Sequence, residues 1–350
     1  MSWLISLAVL SALIFFHELG HYMAARLMGV YVEVFSVGFG KRIYGFRWLD
    51  TDWRIAAIPL GGYVKMKGQD DLDPTSNSID SDSYNAKTPA QRIFILLAGP
   101  AANFLLAFFL YLFIGMGGPQ TLSPIIGKVV EDSPAAVAGL QTNDKIISIN
   151  GTEITTWKAM SNTIKTSQGD LTLVIERSTM LEHIILSPRI TETTNIFGET
   201  VQRRMVGIGS AGIYHELEMG FFGSIGYAAE ETWQASTLIF LSLQKLLSGA
   251  VPAKELGGVV SIVQITAQAS EAGWMSVLFF AALISVNLGV LNLLPIPALD
   301  GGHIMFNLYE MITRHAPSEA VLMRLTIAGW AILLGLMSLG LYNDFNRLIG

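Results

Sequence analysis

Four long apolar stretches constrain this chain more than any other feature of its sequence. They cover about residues 3–24, 94–116, 274–294 and 321–342. Each is long enough to cross roughly 30 Å of hydrocarbon, which takes about 20 helical residues. Only 14% of the 350 residues are charged, against about 25% in an average soluble domain. We therefore expect a polytopic α-helical membrane protein with about four transmembrane helices.

The composition also excludes several classes of site and partner. The chain has no cysteine, which rules out a disulfide scaffold, a Cys zinc ribbon, an iron–sulfur cluster and a thiol protease. Any metal must therefore be bound by His, Asp or Glu. The net charge of −6 argues against a nucleic-acid partner, because phosphate binding needs clustered Lys and Arg side chains.

Basic residues between the first two spans predict the orientation in the membrane. They are Arg26, Lys41, Arg42, Arg47, Arg54, Lys65, Lys67, Lys87 and Arg92. By the positive-inside rule this loop is cytoplasmic. Both termini, and the segment from about 118 to 273, are then expected on the extracytoplasmic side.

The long extracytoplasmic segment shows short alternating runs at 125–130, 145–150, 171–177 and 183–187, which predict strands. Residues 133–154 read SPAAVAGLQTNDKIISINGTEI. This string resembles a PDZ domain of the bacterial protease type, which would cover about 121–212 and bind extended peptides at a sheet edge. A small β-rich spacer is the alternative. Residues 217–250 are predicted to form an amphipathic helix suited to the membrane interface.

The first span contains the sequence HELGH, from His17 to His21. Positions i and i+4 lie on one face of a helix, so His17 and His21 can reach one ion while Glu18 stands beside it, the pattern of a zinc hydrolase. Ionisable groups inside a membrane span are costly and usually functional. The alternative is a satisfied polar cluster between helices.

Two histidines are too few for a catalytic zinc, which usually has three protein ligands and a water. Asp300 and His303, in NLLPIPALDGGH at 292–303, are the remaining candidates at the expected depth. Gly301 and Gly302 allow close backbone approach beside Asp300. A helix N-cap is the alternative for Asp300, and a role supporting the ligands is preferred for His303.

These motifs, together with AGPAAN at 98–103, resemble the site-2 protease family of intramembrane zinc metalloproteases, bacterial RseP type. The resemblance covers nearly the whole chain. It implies Zn²⁺ on His17, His21 and Asp300, Glu18 as the general base, and substrate or intermediate contact by Asn292. A hydrogen bond between helices is the alternative for Asn292. The resemblance also implies residence in the bacterial cytoplasmic (inner) membrane. Well-known members carry two PDZ domains in tandem, whereas this chain has room for one.

The cytoplasmic loop alternates at 31–39 and 53–66 like the strands of a hairpin. The resemblance implies that this loop enters the membrane and holds substrate as an added strand, with Gly61 and Gly62 allowing close approach. An ordinary cytoplasmic hairpin is the alternative. Asn103, inside the second span, fits helix packing as well as a catalytic role.

The expected organisation has four parts. Residues 1–117 carry the first two spans, the zinc motif and the membrane-associated β-hairpin loop. Residues 118–215 form an inserted α+β PDZ domain, 216–273 form interfacial amphipathic helices, and 274–350 form the last two spans. The predicted function is zinc-dependent cleavage of single-span membrane proteins within or beside the lipid bilayer. The resemblance suggests anti-sigma factors and signal-peptide remnants as substrates. A non-catalytic PDZ scaffold with a structural metal site is the alternative, and a metal transporter ranks last.

Overall fold

Four helices in the computed structural model, which describes residues 2–69 and 80–349, are long and apolar enough to cross a membrane. They are α1 (Ser2–Leu27), α2 (Pro89–Met116), α7 (Trp274–Asn292) and α9 (Glu319–Ile349). The prediction of four helices able to span a membrane is confirmed. The observed helices α2 and α9 extend beyond the predicted bounds, from 94 back to 89 and from 342 to 349.

Five further helices and twelve strands complete the elements in the described ranges. The helices are α3 (Pro134–Val137), α4 (Trp157–Thr166), α5 (Phe221–Leu247), α6 (Val259–Glu271) and α8 (Asp300–Thr313), with a 3₁₀ turn at Ala253–Glu255. The strands are β1 (Val32–Trp48), β2 (Thr51–Met66), β3 (Gln120–Leu122), β4 (Ile126–Val129), β5 (Lys145–Ile149), β6 (Thr152–Glu153), β7 (Leu171–Arg177), β8 (Met180–Leu186), β9 (Arg189–Thr194), β10 (Thr200–Met205), β11 (Ile208–Ser210) and β12 (Tyr214–Glu216).

The chain clusters into two units, residues 116–221 and the remainder. In the first of these, β6, β5, β7 and β8 form a four-stranded antiparallel sheet in that order. Its apolar face packs with α3 and α4 around side chains such as Ile146, Met160 and Ile175. Arg177 pairs with the buried Asp144 at 2.7 Å, and that hydrogen bond raises the pKa of Arg177. The unit therefore has a core of its own.

The other unit holds the four long helices and the hairpin of β1 and β2. This hairpin is longer than predicted, because pairing continues to Trp48 and Thr51. Its two-residue turn, Leu49 and Asp50, has positive φ at both positions (48° and 61°), the conformation whose twist suits an antiparallel hairpin. The half of the hairpin next to α1 is buried around Phe35, which stacks on Trp53 with ring centroids 4.3 Å apart.

Beyond the hairpin, Lys67 ion-pairs with Asp80 and Asp82 at 2.9 and 2.7 Å. These hydrogen bonds, led by Asp82, hold the pKa of Lys67 above its usual range. The backbone N–H of Lys67 also donates to the carbonyl of Tyr31 at 2.9 Å. The end of β2 is thereby fixed to the chain that leaves α1.

Candidate metal centre

His17 and His21 lie one turn apart on α1, as the HELGH spacing predicts. Their rings meet edge to face, with centroids 4.8 Å apart, and their Nε2 atoms are 3.2 Å apart. Exposure of the two side chains is only 12% and 9%. Two imidazole nitrogens therefore converge on one point within the helix bundle.

Asp300 joins them from the first residue of α8. Its Oδ2 lies 3.3 Å from Nε2 of His17 and 3.4 Å from Nε2 of His21. The N-cap position of α8 belongs to Leu299, so the alternative reading of Asp300 as an N-cap does not hold. A Cβ on Gly301 or Gly302 would come within 2.2 or 2.3 Å of backbone oxygens in the preceding turn, so the two glycines let α8 begin against that turn.

These three side chains fit a zinc ion. A tetrahedral zinc with bonds of about 2.0–2.1 Å separates its ligand atoms by about 3.3 Å, and the three observed separations are 3.2, 3.3 and 3.4 Å. Oδ2 of Asp300 is buried without a hydrogen-bond partner. Within the described residues these three form the group whose ligand atoms lie close enough together to hold a metal. A nitrogen–nitrogen–carboxylate set with one open position is typical of catalytic zinc.

Three residues of α2 lie against the two histidines. Nδ1 of His21 donates to the carbonyl oxygen of Ile95 at 2.9 Å, which leaves Nε2 of that ring free for a metal. The amide nitrogen of Asn103 lies 3.2 Å from Nδ1 of His17. A Cβ on Gly99 would lie 2.2 Å from Nε2 of His21, so only glycine leaves room for the ring.

Glu18 follows His17 on α1 and contacts the hairpin. A Cβ on Gly62 would be 3.1 Å from Cγ of Glu18 and 2.8 Å from the carbonyl oxygen of Ser36. The neighbouring Gly61 has φ of 149° and lies under the ring of Phe39, where a Cβ would be 2.1 Å from the ring. The structure thus brings Gly62 against Glu18. Gly61, the residue before it on β2, instead contacts the ring of Phe39 on β1.

Asn292, the last residue of α7, also reaches the centre, with Nδ2 at 3.2 Å from Nε2 of His17. His303 lies one turn into α8 and is not part of the group of possible metal ligands found among the described residues. Its ring instead meets Phe306 edge to face.

Sequence reasoning missed the contribution of Ile95 and left Asn103 undecided. A backbone carbonyl has no side-chain pattern by which it could be recognised. The AGPAAN string, however, holds both Gly99 and Asn103 at a spacing of four, which places them on one face of α2. That spacing was the available indication that this face of α2 lies against the HELGH helix.

The fold and the site define a class: a membrane-embedded hydrolase with an HExxH helix and an aspartate from a later helix. The model of Peptidase family M50 matches residues 5–336, and the chain belongs to this family, which is the site-2 protease family. A provisionally named zinc metalloprotease of Campylobacter jejuni is 47% identical over 348 residues, 99% of this chain and 94% of the relative. One of Helicobacter pylori is 37% identical, covering 99% and 100% of the two chains. The protein is a zinc metalloprotease.

Proposed function

We propose that this metalloprotease hydrolyses peptide bonds in or near the transmembrane segment of single-span membrane proteins. One observation carries the proposal: the metal-binding group is assembled from α1, a helix apolar enough to span a bilayer, and from the residue that begins α8. A protease whose centre is formed there meets substrates that are themselves in the membrane. Regulated intramembrane proteolysis, with anti-sigma factors or signal-peptide remnants as substrates, is the physiological role that fits.

In this proposal His17, His21 and Asp300 hold the zinc. When bound, zinc acts as a Lewis acid that polarises the scissile carbonyl and makes the attacking water more acidic. Nδ1 of His21 donates to Ile95 and so fixes the direction of the ring. The low exposure of the three side chains limits the access of bulk water, which strengthens their electrostatic effect on the reaction.

Glu18 is the proposed general base. It occupies the position next to His17 that the HExxH pattern reserves for this group. Its carboxylate takes a proton from the attacking water and delivers it to the nitrogen of the leaving amine. General acid–base catalysis of this kind contributes about 10² to 10⁴ in rate.

Asn292 is the proposed donor to the oxyanion that forms at the scissile carbonyl. Its amide group lies beside Nε2 of His17, hence beside the point where the three ligands converge. Removal of one oxyanion donor typically costs about 2.7–4 kcal/mol in activation free energy. Asn292→Ala should therefore lower kcat by about 10² to 10³.

Gly61 and Gly62 are the proposed substrate-binding positions. A helical substrate hides its peptide bonds in i to i−4 hydrogen bonds and must unwind before attack. Because the described sheet here has two strands, β1 and β2, each keeps one edge that an extended segment can join. Gly62 lies against Glu18, so a segment added near it comes close to the base. The exposed residues Ile43, Tyr44, Phe46, Trp48 and Leu49 suit association of the hairpin with lipid.

The unit at 116–221 is the proposed PDZ domain, acting as a size filter or a docking surface. Its four-stranded sheet with two helices is compatible with an α+β module of this kind. From the basic loop between α1 and α2 we place this unit and both termini outside a bacterial inner membrane. The cysteine-free chain allows a direct test, because Glu192→Cys should react with an impermeant maleimide in intact cells and Lys41→Cys should not. The reverse pattern would overturn the orientation.

The function is tested with purified protein in lipid nanodiscs and a tagged single-span substrate. Wild type should cleave it within or beside the span, at a site located by mass spectrometry. Glu18→Gln should retain one zinc and lose cleavage, because the ligands are intact and the base is gone. Glu319→Gln, a change of the same kind at an exposed residue in the first turn of α9, is the matched control and should cleave like wild type.

A second substrate, with its span replaced by a soluble domain, tests the membrane part of the proposal. Cleavage confined to the single-span substrate supports it. Equal cleavage of both substrates would contradict a preference for transmembrane segments, and full activity of Glu18→Gln would remove Glu18 from the mechanism.

A further inference from the structure

We infer that Asn103 is a positioning residue for the metal centre. Its side-chain oxygen accepts a hydrogen bond from the Nδ1–H of His17, which leaves Nε2 of that ring free for the metal. The inference rests on the ligand roles proposed above and adds a residue to which no role has been given. Asn103 lies on α2 and its side chain is fully buried.

The amide of Asn103 faces His17 and has little else to bind. Its nitrogen is 3.2 Å from Nδ1 of His17, while Oδ1 is buried without a hydrogen-bond partner. Its backbone carbonyl accepts from the hydroxyl of Ser285 on α7 at 2.8 Å. That bond fixes the backbone at this point and leaves the amide group as the part that serves His17.

Counting protons shows which end of the amide must face the ring. Neutral imidazole carries one N–H and one acceptor nitrogen. Amide nitrogens face both ring nitrogens of His17, that of Asn103 at Nδ1 and that of Asn292 at Nε2, each at 3.2 Å. Both amides cannot donate to the same ring, because one of its nitrogens already holds a hydrogen. At least one amide is therefore turned about its Cβ–Cγ bond, a change that exchanges two nearly equivalent positions.

The positions of the proposed metal ligands show which ring nitrogen of His17 carries the hydrogen. Nε2 of His17 lies 3.2 Å from Nε2 of His21 and 3.3 Å from Oδ2 of Asp300, so it is the ligand nitrogen and must lack a proton. The proton is then on Nδ1, and the neighbouring atom of Asn103 must be its oxygen. Metal-bound histidines commonly donate their second N–H to such an acceptor.

The ring of His21 is held by the same kind of hydrogen bond, but its acceptor is a backbone group. Its Nδ1 donates to the backbone carbonyl of Ile95, which no substitution at position 95 removes. His17 instead relies on a side chain. The tautomer and direction of the His17 ring can therefore be changed by mutation at position 103.

The test measures metal binding rather than proteolysis. Zinc affinity is determined by chelator competition on the full chain in detergent, and the visible spectrum of the Co²⁺-loaded protein reports the geometry of the site. Asn103→Leu removes the acceptor at similar volume and should weaken zinc about 10- to 100-fold. Asn103→Asp keeps the acceptor and should bind zinc within about threefold of wild type, as carboxylate–histidine–zinc groups do. If the Leu variant does not fold, Asn103→Ala supplies the same comparison.

Asn343 provides the matched control, since it is also a buried asparagine in an apolar helix, and its amide nitrogen donates to the carbonyls of Ala253 and Leu256. Asn343→Leu should lower the unfolding temperature and leave zinc affinity and the Co²⁺ spectrum unchanged. Wild-type zinc affinity in Asn103→Leu would overturn the inference and leave only helix packing. Equal loss in the Asp and Leu variants would overturn the acceptor role.

These outcomes are separable from failure of the proposed function. A wild-type protein that binds no zinc would refute the ligand roles and the Asn103 role together. Zinc binding and cleavage by wild type, with no effect of Asn103→Leu on metal affinity, would refute the Asn103 role alone.

Discussion

Two aspartates lie among apolar helices in this protein, one buried and one partly buried, and their surroundings differ. Asp344, on α9 and 2% exposed, accepts from the backbone N–H groups of Gly258 and Val260 at 3.0 Å each and from both the N–H and the hydroxyl of Ser261. Asp300, with its side chain 18% exposed, directs Oδ2 at two imidazole nitrogens and has no hydrogen-bond partner for that atom.

The difference separates a structural carboxylate from a proposed metal ligand. Asp344 binds the unpaired N–H groups at the start of α6, where the helix dipole also favours a negative charge. Its carboxylate accepts from three backbone N–H groups and one hydroxyl there. At Asp300, atoms that all carry lone pairs face one another at about 3.3 Å, an arrangement that is unfavourable without a cation between them. The four predictions that follow test this contrast.

The largest effect is expected for Asp300→Asn. Loss of a directly bound carboxylate should weaken zinc by more than about 100-fold, because even outer partners contribute 10- to 100-fold. Proteolysis should be lost with the metal. The unfolding temperature of the metal-free protein should not fall, since Oδ2 makes no hydrogen bond that folding depends on. Zinc content after dialysis and a thermal unfolding curve measure both, and a variant that keeps one tightly bound zinc would refute the ligand role.

Gly99→Ala tests how closely α2 is fitted to the metal centre. The new Cβ would lie 2.2 Å from Nε2 of His21, so the ring must turn away from the ligand position. We expect zinc affinity to fall about 100-fold, comparable to losing an outer partner. Gly335→Ala on α9, where a Cβ meets nothing within 4 Å, is the control and should bind zinc normally. Equal zinc affinity in the two variants would contradict the close fit.

Asp344→Ala should have the opposite profile to Asp300→Asn. It leaves three backbone N–H groups and one hydroxyl without their acceptor, and unsatisfied buried donors of this kind cost about 1–3 kcal/mol. We expect the free energy of unfolding to drop by about 2 kcal/mol, with zinc affinity unchanged. Chemical denaturation in detergent and zinc titration measure the two quantities. Loss of zinc in this variant would contradict separate roles for the two aspartates in stability and in metal binding.

The two aspartates also show how far sequence could predict the structure. Hydropathy found the four spans because apolar composition is a local property of the chain. It ended the last span at 342, just before Asn343 and Asp344, whereas α9 continues to Ile349. These two polar residues stay within the helix because distant residues 253–261 bind them, and no local pattern carries that information.

The candidate metal centre was likewise predicted only in part from the sequence. His17 and His21 follow from one helical turn of sequence, and Asp300 could be proposed as third ligand from its flanking glycines and from family resemblance. The partners of the two rings, Ile95 and Asn103, depend on how α2 is rotated against α1. The hairpin was predicted in outline, but its turn at Leu49 and Asp50 lacks the Asn-Gly or Asp-Gly pair that marks such turns, so its strands were predicted too short.

The smallest effect is expected at the ion pair of Arg92 and Glu310. This pair joins α2, the helix that contacts both histidines, to α8, the helix that begins with Asp300. Its atoms are 2.6 Å apart and its side chains are 15% and 23% exposed. Arg92 lies on α2, three residues before Ile95, and Glu310 lies on α8, ten residues after Asp300. Partly exposed pairs contribute little, so Arg92→Gln should lower stability by about 1 kcal/mol and zinc affinity by only a few fold.

A double-mutant cycle gives the decisive measurement for this pair. Arg92→Gln and Glu310→Gln should each reduce zinc affinity, and the double variant should lose no more than the worse of the two, since the second change finds its partner already gone. Additive losses would mean that the two residues act separately. A coupled loss in zinc affinity would show that the proposed site at Asp300 depends on a contact between helices that includes none of the proposed ligands.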